Sequence, residues 1–401
     1  MRYLLALDKF KGALPSPEAN RIAAAAVAAA RPGAECDLAP LTDGGEGFAS
    51  ILAAALGGEV RAREVPGPRF APVQGRIALV PGARIAAAAW QALQLDGQAR
   101  EGPIALVEMA SASGYECLAN DQRDPWQTST IGTGLLLREA ARSGASAIVL
   151  GIGGSATNDC GAGALEALGV VFYDHAHQPV SKVTPARFRD IATAGADTSL
   201  LQDFPPVRIA CDVTNPLLGP RGATRVFGRQ KGLREEDAGR MEAAMRRMAT
   251  RLLGLFGREP AAWEDLLQEP GAGAAGGIGF GLRHALPDSR FVEGFPLVAA
   301  LLDLPARIQA ADCLVTGEGR LDESSLGGKG PVGLLRMAGP DKPVLFFAGS
   351  ISGPALKQLQ QEFPLLQPYT LSDPSWPIAR ALAETPATLR AAIHTALTTA
   401  P

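Results

Sequence analysis

The stretch SAIVLGIGGSATNDCGAGALEALG, residues 146–169, joins an apolar run, a glycine-rich turn and a second apolar run with helical spacing. This order predicts a strand, a turn and a helix, the repeating unit of an α/β fold. Gly151, Gly153 and Ala156 match the G-x-G-x-x-A form of the dinucleotide-binding fingerprint. Asp174 ends the next apolar run, where that motif places a ribose-binding carboxylate. The glycines therefore hold either a dinucleotide or a different group.

The composition is that of a globular protein with a large core. The chain has 401 residues, of which 47% are hydrophobic and 20% charged, enough for two domains of ordinary size. A net charge of -3 gives no support for nucleic-acid or membrane partners. The sequence contains neither a membrane span nor a signal peptide, which predicts a cytoplasmic location. The five cysteines show no zinc spacing, and four histidines make a histidine-based metal centre an unfavoured interpretation.

Both ends of the chain alternate between strand and helix patterns. YLLAL (3–7) predicts a buried strand, and residues 16–33 predict a helix with Ser16 as N-cap. Near the other end, DCLVTGEG (312–319) and KPVLFFAGS (342–350) predict strands that are followed by loops. This alternation is typical of a parallel α/β sheet.

The middle of the chain has a different character, with short extended runs separated by proline and glycine. We therefore predict a discontinuous, doubly wound α/β domain made of residues 1–70 and 286–401. Residues 71–285 form an inserted, mixed α/β domain in this interpretation. The tract GAGAAGGIGFG (271–281) indicates either a flexible hinge or a close backbone contact.

Five loops combine glycine with charge, and most of them follow predicted strands. Ligands of open α/β sheets bind beyond the carboxyl ends of strands, where glycines let backbone N–H groups approach oxyanions. The mixture of carboxylates and cations fits a phosphate together with a divalent cation. The loops are DKFKG (8–12), TDGGEG (42–47), GGSATNDCGAG (153–163), CDVTNPLLGPRGATRVFGRQKG (211–232) and TGEGRLDESSLGGKG (316–330).

Each loop also has a purely structural interpretation, because Asp-Gly and Gly-Gly pairs form turns. Asp43 and Glu46 could cap a helix, and so could Asn158 with Asp159. Asn215, which precedes a proline, could belong only to a turn. Several strand-end loops of one chemical type favour the functional interpretation.

The dinucleotide interpretation weakens on inspection of the turn itself. Asp159 would place a negative charge near the pyrophosphate, and the motif lies in the middle of the chain rather than at its start. The G-x-x-x-x-G-K-[ST] pattern of P-loop proteins is absent, as are the H-R-D and D-F-G marks of protein kinases.

Together the loops resemble the type I glycerate kinases, the bacterial family that phosphorylates glycerate with ATP. The resemblance runs in the family's order from residue 8 to about residue 333 and so covers nearly the whole chain. DESSL and GGKGP, within 322–331, depart from the family's pattern. The matching stretches are DKFKGALPSPEA, PLTDGGEGF, VEMASASG, TSTIGTGLLLREA, GIGGSATNDCGAGALEALG, ACDVTNPLLGPRGATRVFGRQKG, GAGAAGGIGFGL and VTGEGRLDESSLGGKGPVG.

The resemblance implies phosphorylation of D-glycerate to 2- or 3-phosphoglycerate, with ATP and Mg²⁺. It also implies two α/β lobes, one discontinuous and flavodoxin-like, with the active site in the cleft between them. The expected partner is the small-molecule substrate alone. Neither the acceptor hydroxyl nor homo-oligomerisation follows from the sequence.

The candidate site residues come from the strand-end loops, with roles drawn from the chemistry of phosphoryl transfer. The catalytic candidates are Asp43, Asp159, Asp212 and Lys11. The candidates for binding substrate or phosphate are Lys9, Gly44, Gly45, Gly153, Gly154, Ser155, Asn158, Asn215, Arg221, Arg320 and Lys329. The candidates for binding Mg²⁺ are Glu318 and Asp322.

Two other classes of function stay open at this stage. One is an NAD-dependent oxidoreductase acting on a small hydroxy acid, which differs in binding NAD rather than ATP with Mg²⁺. The other is a two-lobe binding protein for small carboxylates, which turnover would exclude.

Overall fold

A computed structural model of the chain describes residues 1–95, 97–197, 199–328 and 330–399. The chain separates into two compact units. The first comprises Met1–Asp43 with Val298–Pro401, and the second comprises Gly44–Leu297.

The strands are β1 (Arg2–Leu7), β2 (Glu35–Leu38), β3 (Glu59–Pro66), β4 (Pro72–Pro81), β5 (Pro103–Glu108), β6 (Ala147–Gly151), β7 (Val170–Asp174), β8 (Pro179–Val180), β9 (Ile191–Ala196), β10 (Val207–Ala210), β11 (Ser289–Val292), β12 (Cys313–Leu321), β13 (Val344–Ile351) and β14 (Leu366–Thr370). The helices are α1 (Ser16–Ala30), α2 (Phe48–Leu56), α3 (Ala87–Leu93), α4 (Ala110–Ser113), α5 (Ile131–Arg142), α6 (Ala162–Ala167), α7 (Ser199–Gln202), α8 (Ala223–Phe227), α9 (Ala238–Leu255), α10 (Trp263–Leu267), α11 (Ile278–Ala285), α12 (Gly294–Leu301), α13 (Leu304–Ala310), α14 (Gly330–Ala338), α15 (Gly353–Glu362) and α16 (Ile378–Thr399).

The first unit is built on a parallel sheet with the strand order β2-β1-β12-β13-β14. Helices α1 and α16 share one hydrophobic cluster with Tyr3, Leu5 and Leu7 of β1. The alternate residues of that strand face the other side of the sheet, where α13 contacts β1 and α14 contacts β12. Because helices cover the sheet, its central strands β1, β12 and β13 are largely buried and begin as continuous apolar runs, as YLLAL does.

The predicted strand at 3–7 and helix at 16–33 are both confirmed, but the predicted cap is wrong. Ser16 is the first residue of α1, and Pro15 occupies the N-cap position without a side-chain hydrogen bond. The Ser16 hydroxyl instead donates to the Leu7 carbonyl at 2.8 Å, so it ties the helix to the end of β1.

The second unit contains a mixed sheet with the order β11-β10-β6-β5-β4-β3. Strands β3, β4 and β5 pair antiparallel, and the remaining pairs are parallel. A separate antiparallel sheet, β8-β7-β9, belongs to the same unit. The α/β class is therefore confirmed.

The limits of the units differ from the predicted boundaries at 70/71 and 285/286. Residues 44–70 lie in the second unit, because α2 packs on β4 and β5 and because β3 pairs with β4 along its length. Strand β11, predicted in the discontinuous domain, pairs with β10 of the second unit. A strand without a neighbour would leave its backbone N–H and C=O groups without hydrogen bonds, so the pairing decides to which unit a strand belongs. Local sequence patterns do not show which strands pair.

Across the described ranges of the chain, we find no helix with the length and apolar character needed to cross a bilayer.

Candidate active site

A cavity of about 1000 Å³ lies at the carboxyl ends of the strands of the first unit. We call it the strand-end cavity. Its lining comes mainly from the last residues of β12, β13 and β14 and from the segments that follow β1, β12 and β14, because the carboxyl ends of parallel strands meet at one edge of the sheet. The charged and hydroxyl residues of its lining are Asp8, Lys9, Lys11, Asp43, Glu318, Arg320, Asp322, Ser324, Ser350, Thr370, Ser372, Asp373 and Thr385.

An ion pair joins two of the predicted site residues in this cavity. The Lys9 ammonium contacts Oδ1 of Asp43 at 2.9 Å, and the two side chains are 21% and 31% exposed. Lys11 lines the same cavity. The structure thus brings together three residues from DKFKG and TDGGEG, although these loops lie far apart in sequence.

Asp322 is held in place by its own loop. Its Oδ1 accepts hydrogen bonds from the backbone N–H and hydroxyl of Ser324, at 2.9 and 2.6 Å. Its Oδ2 lies 3.1 Å from Nε of Arg320. These contacts lower the pKa of the Asp322 carboxyl, and the hydrogen bond from the Ser324 hydroxyl contributes most. Asp322 therefore orients Arg320, a use of its oxygens that competes with the predicted metal binding.

The side chains of the strand-end cavity could bind Mg²⁺ only if phosphate oxygens supplied further ligands. Within the described part of the chain, no group of three or more His, Cys, Asp or Glu side chains could hold a metal ion. Mg²⁺ commonly takes one or two carboxylates and completes its shell with water and substrate phosphate. Glu318 and Asp8 line the cavity and suit that mode, whereas Lys329 lies outside the described residues.

The glycines of the opening stretch serve close backbone packing in the second unit. Gly153 N–H donates to the Gly44 carbonyl at 3.1 Å. A Cβ at Gly151 would stand 2.5 Å from the Gly44 oxygen, and one at Gly153 would stand 2.8 Å from the Gly45 nitrogen. The predicted phosphate-binding N–H of Gly153 is therefore used internally. These glycines are required because two backbone segments touch here.

The dinucleotide interpretation is wrong at the level of topology. A dinucleotide-binding unit needs the strand after the helix to lie parallel in the same sheet as the first. Here β7 belongs to a different sheet from β6 and pairs antiparallel with β8 and β9. Asp174 accepts hydrogen bonds from the backbone N–H groups of Ala176 and Gln178, so it stabilises a turn.

Asp159 has the burial and the hydrogen bonds of a structural cap. Its side chain is fully buried and accepts hydrogen bonds from Thr130 N, Thr130 Oγ1, Gly161 N and Gly163 N, all between 2.8 and 3.2 Å. Burial raises the pKa of the carboxyl, and these hydrogen bonds oppose that shift. The geometry favours the capping alternative for this residue, and its catalytic role stays a prediction.

Lys231, which was not among the predicted site residues, is buried beside Asp159. Its ammonium donates to the Thr157 carbonyl at 2.6 Å and links the loop 211–232 to the loop 153–163. Burial lowers its pKa to about 7, and the nearby Asp159 opposes the shift. The amide of the neighbouring Asn158 donates to Thr224 Oγ1 at 3.0 Å, so this predicted substrate ligand also holds the two loops together.

We expect Lys231 to make stability depend on pH. Between the folded pKa of about 7 and the ordinary value of 10.5, the unfolded chain binds the extra proton, so stability rises with pH. One such proton corresponds to about 1.4 kcal/mol per pH unit. In denaturant titrations between about pH 7.5 and 9.5, the free energy of unfolding of the wild type should rise relative to Lys231→Met by roughly that slope. Equal pH dependence of the free energy of unfolding in the wild type and in Lys231→Met would contradict this prediction. Lys357→Met, which replaces an exposed lysine, is the control and should keep the wild-type pH dependence.

The glycine tract 271–281 makes a close backbone contact, which decides between the two alternatives left open for it. Gly276 accepts from Cys160 N–H at 2.9 Å, and Gly273 donates to the Asn215 carbonyl at 2.9 Å. A Cβ on Gly276 would lie 2.1 Å from the Thr157 oxygen. We call the packed segments 153–163, 211–232 and 271–281 the loop cluster.

Other predicted residues of the second unit have backbone partners. Asp212 accepts from Phe295 N–H at 2.9 Å and thereby caps α12. The Asn215 amide donates to the Arg221 carbonyl at 2.8 Å, and the Arg221 side chain is exposed. Ser155 forms a bridge with Gly114. Gly154 has a φ of 72°, a conformation that favours glycine.

Both the sequence and the fold of this chain are similar to those of known proteins. The model of the glycerate kinase family matches residues 3–400. The chain belongs to the glycerate kinase family. A glycerate kinase of Bacillus subtilis is 35% identical over 88% of this chain and 86% of its own length. A glycerate 2-kinase of Escherichia coli is 34% identical over the same shares. The crystal structure of a putative glycerate kinase 2 from Salmonella typhimurium matches with a TM-score of 0.72 and 31% identity, covering 99% of this chain and 96% of that one.

For this glycerate kinase family member, Glu108 is a further residue that the site prediction missed. It ends β5, is fully buried, and accepts from Ala49 N–H at 3.3 Å at the start of α2. Arg76 lies 3.5 Å away, and burial raises the pKa of the Glu108 carboxyl. At this helix start the side-chain acceptor is thus a distant residue, and not Asp43 or Glu46, for which capping was the structural alternative. A carboxylate that ends the apolar run IALVE was the available signal.

Proposed function

We propose that the protein transfers the γ-phosphoryl group of ATP to the 2-hydroxyl of D-glycerate, with Mg²⁺. Membership of the glycerate kinase family supports the reaction class. The name of the Escherichia coli relative, a glycerate 2-kinase, supports the 2-hydroxyl as acceptor. A cytoplasmic location stays a prediction of the sequence.

One observation links the proposed reaction to particular residues. Lysine, arginine and carboxylate side chains from the ends of neighbouring parallel strands surround one cavity of about 1000 Å³. Phosphoryl transfer needs positioning and charge stabilisation more than covalent chemistry, and this cavity offers groups for both. The dinucleotide alternative is not supported, because β7 lies outside the sheet that contains β6.

We assign the phosphate end of the nucleotide to the strand-end cavity. Lys9, Lys11 and Arg320 bind phosphate oxygens and offset the charge that builds up during transfer. Glu318 and Asp8 are the residues that would hold Mg²⁺. When bound to the phosphates, Mg²⁺ neutralises their charge and fixes their orientation.

Asp43 acts as the general base in this proposal, oriented by its ion pair with Lys9. The glycerate hydroxyl gives its proton to the Asp43 carboxylate. The hydroxyl oxygen then forms a bond to the γ-phosphorus, while the bond from that phosphorus to the β–γ bridging oxygen breaks and ADP leaves.

The strand order of the first unit supports a finer description of its fold. Counted within the unit, the order β2-β1-β12-β13-β14 becomes 2-1-3-4-5, which is the order of flavodoxin-like sheets. We propose a flavodoxin-like unit whose ligand lies at the switch point between β1 and β12. Asp8 and Glu318 come from these two strand ends. The cleft expected from the resemblance stays a prediction.

Phosphorus NMR of the product tests the proposed function directly. With D-glycerate, ATP and Mg²⁺, we expect a phosphate resonance coupled to the single proton of C2, and no product when EDTA is in excess. A resonance coupled to two methylene protons would move the acceptor to the 3-hydroxyl. ADP formation that is independent of glycerate, or reduction of NAD in place of ATP turnover, would refute the proposal.

A further inference from the structure

A second cavity, of about 500 Å³, lies in the second unit and is remote in sequence from every candidate catalytic loop of the first. We call it the arginine groove. Its walls are α9, the turn Pro125–Gln127 and the turn Pro185–Arg187 with the residues after it. The arginines that line it are Arg189, Arg234, Arg240 and Arg247.

The spacing on α9 explains the shape of the groove. Arg240, Ala243, Ala244 and Arg247 are three, four and seven residues apart, so they lie on one helix face. The two alanines have only a methyl group and leave the floor open. Arg240 and Arg247 lie about two helical turns apart, one on each side of the two alanines.

The charges of the groove are only partly balanced. Asp237 pairs with both Arg234 and Arg240, at 2.7 and 3.0 Å. Arg189 lies 3.4 Å from Asp190, and this pair is largely exposed, so it contributes little. Among the described residues, Arg247 takes part in no ion pair. The lining holds four arginines and two acidic residues, Asp124 and Asp237, and Arg234 also pairs with Glu236 at 3.3 Å outside the lining. The excess of positive charge therefore rests mainly on Arg247.

The same face of α9 carries a further arginine with an unmet donor. One turn beyond Arg247, the Nη1 atom of Arg251 is buried without a hydrogen-bond partner. Burial, and then repulsion from Arg247, lower the pKa of Arg251. Arginine favours multiply charged oxyanions, because its fork donates two hydrogen bonds at once. Arg251 does not line the groove, but an anion bound to Arg247 would offset the repulsion between these two arginines.

We infer that the arginine groove binds a small phosphate-bearing anion, with Arg247 and Arg189 as its principal ligands from two walls. Trp126 forms part of the wall, and the Arg240 guanidinium lies 5.7 Å from the centre of its ring. The groove can take a ligand of this size, since small-molecule sites have volumes of a few hundred Å³. This inference does not depend on the proposed kinase activity.

The wall of the groove continues into the loop cluster. Thr128 follows the turn Pro125–Gln127, and its hydroxyl donates to the Ala156 carbonyl at 3.1 Å. Two residues further on, Thr130 holds the carboxylate of Asp159. An anion bound in the groove therefore contacts the segment that supports the loop cluster.

Isothermal titration of the full-length protein with pyrophosphate tests the inference. The background is the Lys9→Ala/Arg320→Ala double variant, in which anion binding to the strand-end cavity is weakened. In that background we expect a remaining site whose affinity falls about tenfold or more in Arg189→Gln/Arg247→Gln, because two charge-assisted contacts are lost. Arg246→Gln is the matched control, since Arg246 is adjacent on α9 and pairs instead with Glu264. Its affinity should stay within about twofold of the background.

Three outcomes would overturn the inference. The first is the absence of a remaining site, and the second is equal loss in Arg246→Gln, which would indicate a general charge effect. The third is equal affinity for malonate at the same ionic strength, which would remove phosphate as the ligand class. Circular dichroism checks that each surface variant keeps its fold.

Discussion

Asp43→Asn should lower kcat by about 100-fold or more, the usual effect of losing a general base. The carboxylate lies in the strand-end cavity, 31% exposed and 2.9 Å from the Lys9 ammonium. Asparagine has nearly the same shape but cannot accept the hydroxyl proton. An ion pair that is partly exposed contributes at most about 1 kcal/mol, so the melting temperature should change little. Steady-state kinetics and thermal unfolding of the same preparation measure both quantities.

Asp37→Asn is the matched control for this prediction. Asp37 belongs to the same unit, and Nε of Arg307 donates to it at 3.1 Å, but it does not line the cavity. The Arg307 hydrogen bond lowers the pKa of the Asp37 carboxyl, so its stabilising effect is present at neutral pH and is lost as pH falls through the folded pKa. We expect Asp37→Asn to reduce stability and leave kcat near the wild-type value.

A second variant separates catalysis by Asp43 from mere positioning of Lys9. If Asp43 served only to place the ammonium, Lys9→Met would cause the same loss of kcat, and the double variant would add nothing. If Asp43 is the base, Lys9→Met lowers kcat less than Asp43→Asn does, because the carboxylate that takes the hydroxyl proton is still present. A wild-type kcat in Asp43→Asn would remove the residue from the mechanism.

Gly151→Ala should destabilise the protein by about 3 kcal/mol, in the upper part of the range for overpacking a rigid site. The added methyl would lie 2.5 Å from the Gly44 carbonyl oxygen and 2.8 Å from the Phe48 ring. Both neighbours are held by the fold, since Gly44 accepts from Gly153 and Phe48 is buried at the start of α2. Denaturant unfolding without any ligand measures this effect.

Gly239→Ala provides the comparison. A Cβ there would meet only the end of the Arg225 side chain, at 3.9 Å. Replacing a helical glycine by alanine should be neutral or stabilise by up to about 1 kcal/mol. If Gly151→Ala proved as stable as the wild type but lost ligand binding, the glycine would serve a ligand and not the packing of two backbone segments.

Local patterns sufficed for several of the predictions. The buried run YLLAL, the helix over 16–33 and the α/β class follow from hydrophobic spacing and from proline and glycine at element ends. The common position of DKFKG and TGEGRLD at one sheet edge also follows, because the loops after parallel strands share that edge. These features depend on neighbours in sequence or on a general rule of parallel sheets.

The roles of single polar residues could not be predicted in the same way. Asp43 and Asp159 each stand in a glycine-rich loop with the same local appearance. One is partly exposed beside Lys9, while the other is fully buried and bound by Thr130, Gly161 and Gly163. Burial depends on which distant segments pack over a loop, and hydrogen-bond partners 29 residues away leave no trace in local sequence.

By itself, the sequence determined the element types, the charged strand-end loops and, through the extended motifs, the family. Only the tertiary structure decided that TDGGEG is divided between two units, with Asp43 in the first and Gly44 in the second. It also decided that the glycines of 151–153 face another backbone and that α9 forms one wall of an arginine groove. The physical reason is the distance along the chain over which each interaction acts. Side-chain spacing and turn propensities act over a few residues. Backbone contacts, burial and charge balance arise between segments that are distant in sequence and meet only in the folded chain.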